Sequence, residues 1–333
     1  MVTVNSIPVE GDSERLAQAI RDESLEPGNI LGISAEAVVD EFERFVGCYD
    51  LTNPGIEYKR SHTYRVALLA LRIAREENRM WQPDRHLDEG MCLLAGLLHD
   101  TGRFPQWAMV RSYSDAALVP HARISHDMLS GYGMIRRFVN PDAGSRAMTQ
   151  ARARATHAVL EAVRTHSDFS VEDLPEDVIP YAYVTRDADK VDILNATAGT
   201  LCSEGFLDRA AAAAEAAERG LPLPPMDPVE APFILERVNL RHAALGVSDA
   251  VYEDVMSHRI IRRDHSSTLE DGLMCALCLV FDYGKVTRNR LIRESGAVSR
   301  LAEVADFLYA GANGHADRRF LECVEEVRSF LDT

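Results

Sequence analysis

Read for the spacing of its apolar residues, the chain is helical along most of its length. Ser34 is placed to cap a helix whose apolar positions recur to Val46. The turn Asn53-Pro54-Gly55 opens a second helix, residues 56 to about 76, in which His62, Val66, Leu69, Ala70, Ile73 and Ala74 recur at steps of three and four. That spacing sets His62 on or beside the buried stripe. After a loop with Pro83 and Asp84, residues 87–100 carry an unbroken apolar run from Met91 to Leu98, then His99 and Asp100, and break at Gly102. The sequel Arg103-Phe104-Pro105-Gln106-Trp107 is not expected to continue a regular helix through Pro105.

Residues 112–120 show no periodicity. A helical pattern resumes at His121, runs through Ile124, Met128 and Leu129, and breaks at Gly131-Tyr132-Gly133. Residues 151–165 form an alanine-rich helix that delivers His166, and residues 178–197 form another. Further helical stretches are expected at 210–217, 236–245, 247–259, 269–281, 298–310 and 316–331, with a proline-rich link at 221–228. No strand alternation persists and no repeat is visible, so the expected class is all-α. The expected organisation is a loosely ordered leader over 1–34 with at most one helix, near Ser13 to Arg21. A core over 35–205 and a helical extension over 206–333 packed on it would follow.

Composition narrows the setting. Of 333 residues 46% are hydrophobic and 26% charged, and no run reaches the roughly 18 consecutive apolar residues of a membrane helix. Residues 1–13 have neither a basic start nor an apolar core, so a secretory signal is not expected and a cytoplasmic location is. The net charge of -16 disfavours a nucleic-acid duplex as partner, because phosphate backbones demand basic surfaces. It leaves room for a small phosphorylated ligand held by a few local cations. Cys275 and Cys278 form a C-x-x-C in an apolar run, without the second pair that a zinc ribbon needs, and are read as small core residues.

The candidate chemistry lies in His62, His99, Asp100, His121, His166 and Asp189. Most come at or near the end of a helical stretch, and each is of a type that ligates a transition metal. Imidazole and carboxylate together suit iron, manganese, cobalt or zinc, whereas calcium wants oxygen ligands only. Taken singly each has a plainer reading. His99 and Asp100 suit a helix terminus, His121 an exposed first turn, and His166 a cation at a helix C-terminus. His126 is off the i+4 face of His121 and is expected in a supporting or core position, and His157 in a structural one.

The order His, His-Asp, His, His, Asp resembles the HD-domain superfamily of metal-dependent phosphohydrolases over about residues 56–195. The blocks that carry the resemblance are Lys59-Arg60-Ser61-His62-Thr63, Leu97-Leu98-His99-Asp100-Thr101-Gly102-Arg103-Phe104 and Arg186-Asp187-Ala188-Asp189-Lys190-Val191-Asp192. It implies a five-helix core with two divalent transition-metal ions. His62, His99, Asp100 and Asp189 would hold the first, His121 and His166 the second, with Asp100 bridging and a metal-bridging hydroxide attacking phosphorus. Asp187 and Asp192, at -2 and +3 from Asp189, are expected in salt bridges, with Asp192 on the nearer face and Asp187 facing away. Arg103, three past Asp100 where many relatives carry lysine, is the main candidate to grip substrate phosphate, and its alternative is a surface ion pair. Lys190 is a second substrate-binding candidate, or the partner of a neighbouring carboxylate.

The implied activity is hydrolysis of a phosphate ester or nucleotide, with Asp100 and Arg103 in the catalytic roles. A homo-oligomer is compatible with the sequence. The same ligand order occurs in HD-fold mixed-valent diiron oxygenases that act on phosphonates or polyols. Nucleotide-sensing HD modules without turnover usually lose ligands, and all six are here. The Gly-Tyr-Pro signature and double histidine of the cyclic-dinucleotide phosphodiesterases are not matched.

Overall fold

The computed structural model describes residues 13–26, 29–113, 115, 118–139, 145–203, 205, 208–209, 212–213, 215–216, 219–225, 246–311 and 318–332. Its regular elements are helices, with no strand among the described residues. No described helix is long and apolar enough to cross a membrane. The chain divides into two compact units, Met1–Asp192 and Ile193–Thr333.

The first unit begins with α1 (Ser13–Arg21), α2 (Ala35–Val46), α3 (Pro54–Met80) and α4 (Glu89–Leu98). It continues with α5 (Arg103–Val110), α6 (His121–Ser130), α7 (Arg146–Thr165) and α8 (Ile179–Leu201), whose last turns fall in the second unit. Local chemistry sets the starts. Ser34 caps α2 by accepting from Ala37 N at 3.2 Å. Asn53 caps α3 by accepting from Gly55 N at 3.0 Å with Pro54 in the first turn, and Asp88 caps α4 through Met91 N at 2.9 Å.

Helix α4 is the centre of this unit. It is buried along its whole length, and it packs on α2, α3 and α7. A helix apolar all round has no solvent face to offer. Each of Leu93, Leu94, Leu97 and Leu98 is fully buried and contributes roughly 2 kcal/mol. That burial offsets the cost of carrying His99 and Asp100 into a dry interior. Gly96 permits the tight α3–α4 seam, since a Cβ there would lie 3.0 Å from Ala67 Cα and 3.0 Å from Ala70 Cβ.

Two expectations are corrected here. The segment read as a loosely ordered leader is packed from residue 13 onward: α1 lies on α2 and α3, and Leu16, Ala17, Ile20 and Leu31 belong to the core. Helix α5 runs through Pro105, which is its third residue, where the missing N–H has no intrahelical partner to lose. Phe104 anchors α5, with its ring centroid 5.9 Å from Phe42 and 5.6 Å from Phe45. The pinned ring fixes the start of α5, where Arg103 stands.

The second unit is built on α9 (Asp249–Met256), α10 (Leu269–Leu277), α11 (Ala297–Gly311) and α12 (Arg318–Asp332), with α12 touching the other three. Phe320, Cys323, Val324, Val327 and Leu331 form the buried face of α12. Thr268 and Asp271 make a reciprocal cap at the start of α10. Cys278 is buried and Cys275 half-buried, in keeping with their reading as core residues. The stretch 236–245 lies outside the described residues, and 210–217 is described only in part.

Candidate metal centre

The six sequence candidates meet inside the first unit. His62 comes from the middle of α3, and His99 and Asp100 from the turn just past α4. His121 is the first residue of α6, His166 follows α7, and Asp189 lies on α8. All are buried except Asp189, which is half-buried. Three of these positions are helix ends, where a polar side chain enters the core with the fewest competing backbone bonds.

Two groups of ligand atoms form around Asp100. In the first, His62 Nε2 stands 3.3 Å from His99 Nε2, 3.4 Å from Asp100 Oδ2 and 3.2 Å from Asp189 Oδ1. In the second, His121 Nε2 stands 2.9 Å from His166 Nε2, and Asp100 Oδ1 is 3.3 Å from the former and 3.8 Å from the latter. Asp100 therefore presents one oxygen to each group. The same side chains form three overlapping sets with metal-ligand spacing.

Each imidazole is oriented from behind. His99 Nδ1 donates to Gly96 O and His166 Nδ1 to Val163 O, each at 2.7 Å. His62 Nδ1 donates to Asp192 Oδ2 at 2.7 Å, and His121 Nδ1 to Asp115 Oδ2 at 2.9 Å. Carbonyls and carboxylates only accept, so Nδ1 carries a proton in each ring, and in the neutral rings of His99, His121 and His166 Nε2 turns a lone pair inward. Asp100 Oδ1 is buried with no hydrogen-bond donor. Lone pairs of His121, His166 and Asp100 thus converge in a buried space, an arrangement that repels itself unless a cation fills it. The residues present fit divalent ions of the imidazole and carboxylate class.

Electrostatics agree with that fit. Burial lowers the pKa values of His99 and His121, and burial together with His99 pushes His166 down to about 4, so these rings stay neutral ligands near pH 7. For His62, burial and the Lys59 charge pull downward, but the carboxylates of Asp100, Asp189 and Asp192 prevail and raise it to about 9. Burial opposes ionisation of Asp100, yet Lys59 and the surrounding histidines hold it well below the usual carboxylate range. Asp189 is likewise lowered, with His62 and His99 outweighing burial.

Several participants come from outside the sequence candidates. Lys59 Nζ donates to Asp100 Oδ2 at 2.7 Å. It sits one helical turn before His62, and an i, i+3 reading of α3 points to it. Asp115 holds His121 from the aperiodic stretch, where no pattern marks it. Arg65, fully buried, donates to both oxygens of Asp192 at 2.7 and 3.0 Å. Asp192 therefore makes the expected salt bridge and in addition orients His62. Asp187 is also buried.

Arg103 reaches the cluster from its rim: Nη1 donates to Tyr113 O at 2.6 Å and Asp115 Oδ1 at 2.9 Å, and Nε lies 3.6 Å from Asp100 Oδ1. The ion pair offered as its alternative is present, made to Asp115, a half-buried carboxylate that also holds His121. Lys190 is half-buried and about 100° around α8 from Asp189. The lysine on Asp100 is Lys59. His126 contacts Asp127, Ser130 and Glu161, away from the ligand atoms, and His157 is exposed.

Gly102 joins the halves of the site. A Cβ on it would lie 2.5 Å from His121 O and 2.7 Å from Ser125 N, and its own N–H donates to Ser125 Oγ at 2.8 Å. Its backbone φ is -69°, so the glycine is required by the approach of α6 and not by its own conformation.

Comparison with known proteins agrees with this arrangement. Residues 60–194 match the family model described as HD domain. That span holds every candidate ligand. No curated protein and no solved structure matches the chain. Residues 60–194 thus match the HD domain, a family of the metal-dependent hydrolase superfamily, and the His/Asp cluster within them is consistent with an HD metal site.

Proposed function

We propose that this HD-domain chain is a metal-dependent phosphohydrolase acting on a phosphate ester or nucleotide. The observation that carries the reading is Asp100, whose two oxygens face two separate groups of inward-turned imidazoles. His62, His99, Asp100 and Asp189 would hold one divalent ion, and Asp100, His121 and His166 a second. Such ions supply Lewis-acid activation of water and neutralise charge that develops on a phosphoryl group.

The chain's own residues do the rest. Asp192, Asp115 and the carbonyls of Gly96 and Val163 keep the rings in one tautomer and one orientation. Arg103 stands at the rim with Nε facing Asp100, where a cation would hold a phosphoryl oxygen and stabilise its added charge. The buried walls exclude bulk water, which strengthens each of these interactions.

The test is a screen of the full chain, reconstituted separately with iron, manganese, cobalt and zinc, against aryl phosphates and a nucleotide panel. Phosphate release that persists without oxygen and is abolished by a chelator is the expected result. A fully metallated protein that releases phosphate from none of them would sink the reading. Oxygen-dependent turnover with the paramagnetic signal of a mixed-valent iron pair would replace it with the diiron oxygenase alternative.

A further inference from the structure

We propose that Arg186 is a positioning residue of the metal centre: it fastens the turn that leaves His166 to the helix that carries Asp189, and so sets how tightly the second ion is held. The inference rests on the two-ion reading of the cluster and adds a residue outside its ligands. Arg186 lies on α8 three residues before Asp189, which is in turn three before Asp192, so the three share one stripe of the helix. Each addresses a different part of the cluster. Asp192 holds His62, and Asp189 faces His62 and His99. Arg186 donates from Nη1 to Asp168 O and from Nη2 to Phe169 O, the latter at 3.2 Å. Those carbonyls stand two and three residues past His166.

The side chains of the turn do not hold it. Residues 167–170 are all exposed, Phe169 at 59%, so none of them is anchored in the core. The bond from Asp168 N to Thr165 O, at 3.0 Å, ties the turn back to the end of α7 and to no other element. Arg186, by contrast, is 1% exposed. Carrying a guanidinium into the interior is costly, and its planar fork suits a pair of neighbouring carbonyls better than a compact ammonium does. A charged fork on two main-chain oxygens fixes the path of the chain as it leaves His166.

That path matters at His166. Its Nδ1 bond to Val163 O sets the ring against its own helix, but not against the rest of the cluster. Its Nε2 stands 2.9 Å from His121 Nε2, which comes from α6. The ligand atoms of His99, His166 and Asp189 lie within 4.8 Å of one another. The seam between the end of α7 and α8 is therefore the direction along which the second group can open, and Arg186 bridges it. The same bond joins a ligand of one ion, His166, to the helix of a ligand of the other.

The experiment titrates the full chain, stripped of metal by a chelator, with cobalt(II). Calorimetry resolves the two binding steps, visible absorption reports the geometry of each bound ion, and urea unfolding gives stability. His166→Ala identifies the second step by removing it. The test variants are Arg186→Met and Arg186→Lys. Val159→Ala is the control for stability, since it opens a cavity in the buried face of α7 away from the turn. We expect Arg186→Met to weaken the second ion roughly 10- to 100-fold and to shift its absorption band, with the first ion moved much less. Arg186→Lys, which keeps the charge and loses the fork, should fall between. Val159→Ala should lower the urea midpoint with the second step and its band unchanged. An unchanged second step in Arg186→Met, equal weakening of both ions, or the same second-step loss in Val159→Ala would each overturn the role. If Arg186→Met does not fold, Arg186→Lys decides: a wild-type second step overturns the role, and a weakened one at wild-type stability supports it. A wild type that takes up one ion or none removes the two-ion centre and the role with it. Two ions with an Arg186-independent second step, in a protein that releases phosphate, remove the role and leave the hydrolase. An Arg186-dependent second step without turnover of any phosphate keeps the role and removes the hydrolase.

Discussion

The two halves of the His/Asp cluster are built alike but backed differently. Each has one histidine hung on a backbone carbonyl, His99 on Gly96 and His166 on Val163, and one held by a carboxylate. In the first half that carboxylate is Asp192, 4% exposed and neutralised by the buried Arg65. In the second it is Asp115, 35% exposed and shared with Arg103. A buried, paired carboxylate cannot be removed without leaving a charge stranded, whereas a partly exposed one is screened by solvent. The first half is thus part of the core, and the second meets the rim where substrate would arrive.

The largest effect is expected where the halves join. Asp100→Ala should empty both by elemental analysis and take hydrolysis to background, and a variant that kept one ion would show that the halves assemble independently. Next comes Asp192→Ala, which strands Arg65 and should cost about 3–5 kcal/mol in urea unfolding, together with metal at the first half. Asp115→Ala should act on metal and on the seating of Arg103 more than on stability. It is expected to weaken the second ion roughly 10- to 100-fold in a metal titration, while stability moves by less than about 1 kcal/mol. A stability loss as large as that of Asp192→Ala would erase the distinction between the two backings.

The smallest effect is in pH. In the metal-free protein His62 titrates near 9, raised by its carboxylate neighbours against burial and Lys59, and must give up a proton to ligate. Metal affinity of the first half should therefore rise with pH up to about 9 and flatten above it. In the second half His121 is lowered and His166 is near 4, so both are already neutral and affinity should be flat around pH 7. Calorimetry in buffers of unequal ionisation enthalpy would show one proton released by the first ion and none by the second.

The candidate ligands are legible because residue types that bind metal recur in one order along the chain, and helical spacing puts His62 toward the interior. Their supports are less so. Asp115 sits in an aperiodic stretch, and its tie to His121 depends on how that turn folds back. Asp192 was placed on the right face of α8 but its pairing with Arg65, 127 residues away, exists only in three dimensions. Lys59 reaches Asp100 from one turn before His62, whereas the adjacency of Lys190 to Asp189 in sequence is a divergence of about 100° on a helix. Pro105 reads as a stop in the sequence because its place, inside a first turn, depends on where α5 begins.

Four imidazoles tied at Nδ1 also carry a consequence in time. A ring held from behind could not swing out to accompany a departing ion, so an ion seated there is expected to exchange more slowly than one on freely rotating side chains, and elemental analysis after incubation with a competing metal would check it.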